Sequence, residues 1–210
     1  MGTDIHSMWQ KKTEKGWEDI ENPYKERRHY QLFAVLAGVR NGYGFAGCST
    51  GEAVEPISEL RGLPDDFDVY GYSHPISSIN FVPEDDKDWY GDEKMEVWMG
   101  DHSYSWLTAD EMLEWYENAP TVIQTGIIER EQYEIWDKKS SPKSYCGGIS
   151  GPNVLLINDD LGDMKEHINW THIRIKWKQN LNEELQYFFD IVKSQKEKYG
   201  EVRFVFGFDS

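Results

Sequence analysis

The segment from residue 170 to residue 210 constrains the fold most, because it joins two strand patterns through a helix pattern. The alternation in "WTHIRIKW" predicts a strand whose inward side chains are Ile173, Ile175 and Trp177. The segment "NEELQYFFDIVKSQKEKYG" predicts a helix that ends at Gly200 and has an apolar stripe of Leu185, Phe188, Phe189 and Val192. The segment "EVRFVFGFDS" predicts a strand with one face formed by Val202, Phe204, Phe206 and Phe208. We expect the two strands to be neighbours in one sheet, because only one helix separates them.

The polar face of the first of these strands is basic. It carries His172, Arg174 and Lys176 at alternate positions. Because alternate residues of a strand point to the same side, these three side chains are expected to form a basic wall.

The N-terminal part predicts a β-hairpin followed by a helix. In "TDIHSMWQKKTEKGWEDI" the turn lies around Lys15 and Gly16, and alternation places Asp4, His6 and Met8 on one face. The segment "RHYQLFAVLAGVRNG" has Leu32, Val35, Leu36 and Val39 at helical spacing, and the expected end of this helix is Asn41-Gly42.

The middle of the chain supplies further elements and long loops. In "LTADEMLEWYENA" Thr108 is the expected N-cap of a helix and Glu111 its capping-box partner. A short helix is expected in "IEREQYEIWDK", and a strand in "VLLIN". The sequence therefore predicts an α+β fold in a single domain over residues 1–210, with a mixed or antiparallel sheet, helices packed on one face and a long loop-rich middle.

Charge and composition exclude several classes of partner. The chain has 210 residues and a formal net charge of -16, so duplex nucleic acid and anionic membranes are disfavoured as partners. A phosphate ligand would need a local basic pocket to overcome this field. No apolar run reaches membrane-spanning length, and Cys48 and Cys146 fit no metal pattern, which favours a reduced cytosol with two free thiols.

The candidate chemistry lies in two Asp-His pairs. Asp4 and His6 share a face of the first strand, and Asp101 and His102 precede the helix that begins after Thr108. If the two pairs meet, His6, His102, Asp4 and Asp101 can act as catalytic acids and bases or hold one or two divalent ions, whose identity the sequence leaves unknown. The alternative is that the first pair is solvated and that Asp101 forms a turn.

Five other residues are candidate ligand contacts: Arg28, Asn41, Ser103, Ser105 and Trp106. Arg28 lies near the positive end of a helix, so it needs either a carboxylate partner or an anionic ligand. For Asn41, a role in capping the helix is the alternative. The two serines are interpreted as hydrogen-bonding groups, because "GDHSYS" lacks the nucleophile-elbow pattern. Trp106 is either part of the core or a stacking wall.

Several segments together resemble a widespread family of small phage and prophage proteins. They are "MGTDIH", "RHYQLFAVLAGVRNG", "RGLPDDF", "GDHSYSWLTADEML" and "EVRFVFGFDS". His29 departs from the family pattern, in which Asn is usual. The resemblance implies an accessory protein in the host cytoplasm that acts on a nucleotide signal of host immunity.

Three functions remain open from the sequence. The first is hydrolysis of a phosphodiester in a cyclic nucleotide or oligonucleotide signal, and the second is a sponge that binds such a nucleotide without cleaving it. The third is an acidic decoy for a basic host protein, using residues 84–96, which hold seven acidic and two basic side chains. The partners expected are thus a small nucleotide ligand and no duplex nucleic acid or membrane, with a homo-oligomer left open.

Overall fold

The computed structural model describes residues 2–25, 28–44, 47–67, 75–79, 95–149, 153–156 and 170–210. The strands in these ranges are β1 Asp4–Thr13, β2 Gly16–Ile20, β3 Ile76–Ile79, β4 Met95–Trp98, β5 His102–Thr108, β6 Thr121–Glu129, β7 Val154–Leu156, β8 His172–Asn180 and β9 Val202–Asp209. The helices are α1 Tyr30–Ala37, α2 Ala109–Glu117, α3 Arg130–Ile135, α4 Leu181–Glu184 and α5 Gln186–Tyr199. The predicted α+β fold in one domain is confirmed.

The largest sheet has the strand order β2-β1-β9-β5, with antiparallel neighbours. One of its faces packs against α1, α2 and α5 around a core that includes Trp9, Phe33, Phe189, Phe204 and Phe206, as the prediction of helices on one face requires. The opposite face is covered by a smaller cluster of Met8, Phe67, Met99 and Val205. Because β9 is buried on both faces over nearly its whole length, it takes a central position in the sheet.

A second sheet has the order β6-β8-β7, with β6 and β8 antiparallel and β7 and β8 parallel. Its own core contains Ile173, Ile175 and Trp177, the three inward side chains predicted for this strand. The remaining pair, β3 with β4, forms a two-stranded antiparallel sheet at the end of the loop-rich middle.

The expectation that β8 and β9 are sheet neighbours is wrong. They lie in different sheets, because β8 pairs with β6 and β7 whereas β9 pairs with β1 and β5. The local patterns of the two strands differ accordingly: β8 alternates buried and exposed residues over most of its length, while β9 does not. The connecting helical segment therefore carries the chain from one sheet to the other.

Two helix boundaries also differ from the sequence prediction. Helix α1 ends at Gly38, which has a left-handed φ of 68°, and not at Asn41-Gly42. The C-terminal helix is interrupted at Leu185, so that α4 and α5 are separate. The N-cap of α2 is confirmed: Thr108 Oγ1 accepts from the Glu111 backbone N–H at 3.3 Å, and Glu111 Oε2 accepts from the Thr108 backbone N–H at 2.8 Å.

Within the part of the chain that the structure describes, none of the helices has the length and apolarity that crossing a bilayer requires. Most of the acidic segment 84–96 lies outside the described residues, so its role as a docking surface stays a prediction.

Candidate functional site

The first predicted pair, Asp4 and His6, lies where β1 meets the end of β9. Asp4 pairs with Asp209 across the two strands and His6 pairs with Gly207. The Asp4 backbone N–H donates to Asp209 Oδ1 at 3.0 Å, and His6 Nε2 lies 3.5 Å from Asp209 Oδ2. Asp4, His6 and Asp209 therefore form one polar cluster on one face of the sheet.

Arg28 joins this cluster through Asp4. Its Nε and Nη2 atoms donate to the two Asp4 carboxylate oxygens at 2.8 and 2.5 Å, a bidentate pair. The hydrogen bonds from Arg28 lower the pKa of Asp4, and those to Asp4 raise the pKa of Arg28. Of the two partners expected for Arg28, the structure supplies the carboxylate, so this guanidinium is already neutralised.

The His6 imidazole is held by its surroundings more than by hydrogen bonds. Its ring lies against Trp98, with ring centroids 4.6 Å apart. His6 Nε2 is buried and makes no hydrogen bond within the described residues, although it is close enough to Asp209 for an ion pair when protonated. The 3.5 Å between His6 Nε2 and Asp209 Oδ2 and the absence of a hydrogen bond between them favour a packed imidazole over a preformed acid-base dyad.

The second pair, Asp101 and His102, lies across β9 from the first. His102 pairs with Phe208, whereas His6 pairs with Gly207. Because cross-strand partners share a face and successive residues alternate, the two imidazoles point to opposite faces of the sheet. The expected single pocket containing His6, His102, Asp4 and Asp101 is therefore not formed.

His102 and Asp101 have local partners of their own. His102 Nδ1 lies 2.9 Å from Ser103 Oγ, and His102 Nε2 lies 2.9 Å from Ser210 Oγ. The Asp101 backbone N–H donates to the Phe208 carbonyl at 2.6 Å. Burial raises the pKa of Tyr104, and the Asp101 charge adds to this effect. His102 and Asp101 thus help to fix β5 onto β9.

The remaining predicted ligand contacts are dispersed. Ser105 Oγ is buried and accepts from the Arg61 backbone N–H at 3.1 Å, and the Arg61 guanidinium lies 4.8 Å from the Trp106 ring centre. Asn41 donates to the Val54 carbonyl at 2.7 Å and accepts from the Val54 N–H at 2.8 Å. Ser105, Trp106 and Asn41 thus support local structure, and Asn41 is not the cap of α1.

His29 is the N-cap of α1. Its Nδ1 accepts from the Leu32 backbone N–H at 3.3 Å, and its Nε2 lies 3.3 Å from Glu184 Oε1. An Asn at this position can accept the same N-cap hydrogen bond, because its side-chain oxygen is a strong capping group. His29 and Asn are thus both compatible with this helix start.

Two cavities were not predicted from the sequence. The first, of about 220 Å³, is a cleft beside the start of α1 that is lined by Arg28, His29, Tyr30, Gln31, Gly44, Thr50, Gln124, Tyr145 and Glu184. Its basic side chains already lie beside carboxylates, since Arg28 binds Asp4 and His29 lies beside Glu184. The α1 cleft is therefore better suited to an uncharged polar group than to a phosphate.

The second cavity is an open groove of about 700 Å³ at the second sheet, and we call it the lysine groove. It is lined by Glu52, Ile123, Lys138, Lys139, Lys176, Trp177 and Lys178. Four lysines and one glutamate thus line this groove. The predicted basic wall on β8 is the sequence signal that pointed towards this region, but the contribution of the 138–139 segment could not be anticipated.

Local structure explains how these lysines reach the groove. Lys176 and Lys178 occupy exposed positions that alternate with the buried Trp177. Lys138 has a positive φ of 65°, donates to the Tyr133 carbonyl and lies over the Tyr133 ring, while burial lowers its pKa. Glu52 Oε2 accepts from the Ile123 backbone N–H at 2.8 Å, so its charge is tied to the groove edge.

Among the described residues, no three His, Cys, Asp or Glu side chains come together in a way that would hold a metal ion. The chain matches no protein-family model, no curated protein and no solved structure.

Proposed function

We propose that this protein binds a small nucleotide signal, in the manner of a sponge, with the phosphates held in the lysine groove. Of the functions left open by the sequence, this one agrees best with the geometry. The observation that carries it is the concentration of Lys138, Lys139, Lys176 and Lys178 around one groove in a chain of net charge -16.

Electrostatics supports the choice of this groove over the end of β1. A phosphate approaching Arg28 would have to displace Asp4 from a bidentate pair and would also meet the Asp209 carboxylate. In the lysine groove the only carboxylate among the lining residues is Glu52, which accepts a backbone N–H. Lysines are effective point charges for phosphates, so a ligand with two or more phosphates gains most from this arrangement.

The same geometry favours binding over cleavage. Hydrolysis of a phosphodiester needs an acid or base within hydrogen-bond reach of the reacting atoms. The residues that line the groove include no histidine, and His6 and His102 lie on opposite faces of the other sheet. Hydrolysis at His6, with Asp209 at 3.5 Å and Asp4 beside it, is the second candidate function.

The biological setting is part of the proposal. The resemblance to phage and prophage proteins supports a role in the host cytoplasm, where a bound nucleotide signal would be withdrawn from host immunity. The acidic decoy differs from this proposal because it would use residues 84–96, not the lysine groove.

The test is titration of the protein by calorimetry with a panel of cyclic mono-, di- and oligonucleotides at low salt. We expect at least one nucleotide to bind, and the double variant Lys176→Glu/Lys178→Glu to weaken that binding by roughly tenfold or more, because it reverses two charges in the groove. Lys15→Glu is the matched control, since Lys15 is exposed at the β1–β2 turn and is expected to leave the affinity unchanged. Equal affinity of the two variants, or no binding across the panel, would overturn the proposal.

Chromatography of the bound nucleotide separates the sponge from the hydrolase. After heat denaturation, the sponge releases the nucleotide intact. Conversion to linear products that is abolished by His6→Ala would favour the second candidate. Binding that is indifferent to the lysine variants and requires a basic protein partner would favour the decoy.

A further inference from the structure

Two loops run along the edge of β6 that does not pair with β8. The first is fixed by a bridge between Gly51 and Gln124 and by hydrogen bonds on both sides, from the Thr125 N–H to the Thr50 carbonyl at 2.8 Å and from the Glu52 N–H to the Ile123 carbonyl at 2.9 Å. The second is fixed further along the same strand, where Cys146 exchanges backbone hydrogen bonds with Ile127 at 2.8 and 3.0 Å.

This register brings the two cysteines of the chain to the same point. The Gly51–Gln124 bridge is antiparallel, so residues before Gly51 run alongside residues after Gln124. Cys48, three residues before Gly51, is therefore directed towards Ile127, three residues after Gln124. Ile127 is the residue that Cys146 already bridges. Only one backbone can occupy that position on the strand edge, so Cys48 must lie beside the Cys146 loop.

The contacts of Cys48 agree with this placement. Its side chain lies directly against Gly147 and Gly148, the two residues that follow Cys146. A Cβ at position 147 would lie 2.9 Å from Cys48 Cβ, and a Cβ at position 148 would overlap Cys48 Sγ. The two glycines thus permit an approach that side chains would prevent. Both thiols are free and half-buried.

We infer that Cys48 and Cys146 are a modification site that forms an intramolecular disulfide when the protein meets a low-molecular-weight disulfide such as oxidised glutathione. One cysteine thiolate attacks the small disulfide, whose S–S bond breaks and releases one thiolate. The second cysteine thiolate then attacks the protein sulfur of this mixed disulfide and releases the other thiolate. The two protein thiols lose two electrons and two protons, and the small disulfide is reduced to two thiols.

The bond would act on the α1 cleft. Gly44, Thr50 and Tyr145 line this cleft and belong to the two loops that the disulfide would join. The link would therefore fix two walls of the cleft relative to each other. This inference is independent of ligand binding in the lysine groove.

The test treats the native full chain with oxidised glutathione, alkylates the remaining thiols and maps peptides without reduction. We expect a linked peptide pair containing Cys48 and Cys146, a mass lower by two hydrogens, and a melting temperature raised by about 5 °C or more that falls again on reduction, because the bond closes a long loop. Cys48→Ser and Cys146→Ser should each give only a glutathione adduct on the remaining cysteine. Two adducts without a link in the wild-type protein, or a link only between two chains, would overturn the inference.

Discussion

At the scale of single residues, local chemistry is well predicted and partners distant in sequence are not. Thr108 and Glu111 lie three residues apart, so their mutual capping follows from the sequence alone. Arg203, by contrast, lies in β9, and the neighbouring sequence carries no sign of its partners. It is buried, donates to Gln10 and Asp66 at 2.8 Å each, and lies over Trp17.

Glu111 allows a prediction about pH. Hydrogen bonds from Arg61 and then Thr108 lower its pKa from 4.5 to about 2, against an opposing effect of burial. Because the folded-state pKa is below the unfolded one, the stabilisation is fully present above about pH 4.5 and is lost as the pH falls towards 2. Glu111→Gln should therefore lower the free energy of unfolding at pH 6 by about 1 kcal/mol, a figure that allows for the solvent exposure of its ion pair.

Urea denaturation at pH 6 and pH 3 measures this effect. The difference in free energy of unfolding between the variant and the wild-type protein should be smaller at pH 3 than at pH 6, because the stabilisation is partly lost at pH 3. Glu114→Gln is the matched control, since Glu114 is exposed on the same helix and should have little effect at either pH. A variant that is equally destabilised at both pH values would contradict the electrostatic explanation.

At the scale of elements, the sequence predicts where helices and strands form better than it predicts how they associate. The hairpin β1–β2, α2 and α3 were predicted from local patterns and are confirmed. The sheet partners of β8 and β9 were not predicted correctly, because strand pairing depends on residues far apart in the chain. The same limit explains why His6 and His102 reach the same end of a sheet but face opposite sides.

The end of α1 allows a prediction about backbone conformation. Gly38 has a φ of 68°, and a Cβ there would meet only Pro56 Cγ at 3.5 Å, an ordinary contact. Gly38→Ala should therefore destabilise the protein by about 1 kcal/mol or somewhat more through backbone strain alone. Gly38→Asn should cost less, because Asn tolerates the left-handed region.

Thermal unfolding of the two variants checks this explanation. If Ala and Asn are equally destabilising, then a lost contact and not the left-handed conformation is responsible.

At the scale of the whole molecule, charge is distributed unevenly. The chain carries 38 acidic and 22 basic residues, yet four lysines share one groove. Composition predicts that the chain as a whole repels polyanions. It could not reveal the groove, because Lys138 and Lys139 are about forty residues from Lys176 and Lys178 and meet them only in the folded chain.

This distribution predicts opposite effects of salt on stability and on binding. Screening by 0.3 M NaCl should raise the melting temperature of the free protein by a few degrees, because it weakens self-repulsion. The same salt should weaken nucleotide binding roughly tenfold, because it screens the lysines. Scanning calorimetry of the free protein and nucleotide titration, each at 0.02 and 0.3 M salt, measure the two effects. Salt that raises or lowers the melting temperature and the nucleotide affinity together would contradict the prediction.

The central position of β9 also has a kinetic consequence. β9 lies between β1 and β5 in the sheet but is synthesised after both of them. Neither β1 nor β5 can therefore pair with β9 until β9 has left the ribosome. Closing a contact between Asp4 and Asp209, 205 residues apart, requires a large part of the chain to be brought together at once. Until then, the unpaired edges of β1 and β5 are the region most open to chaperones and to aggregation.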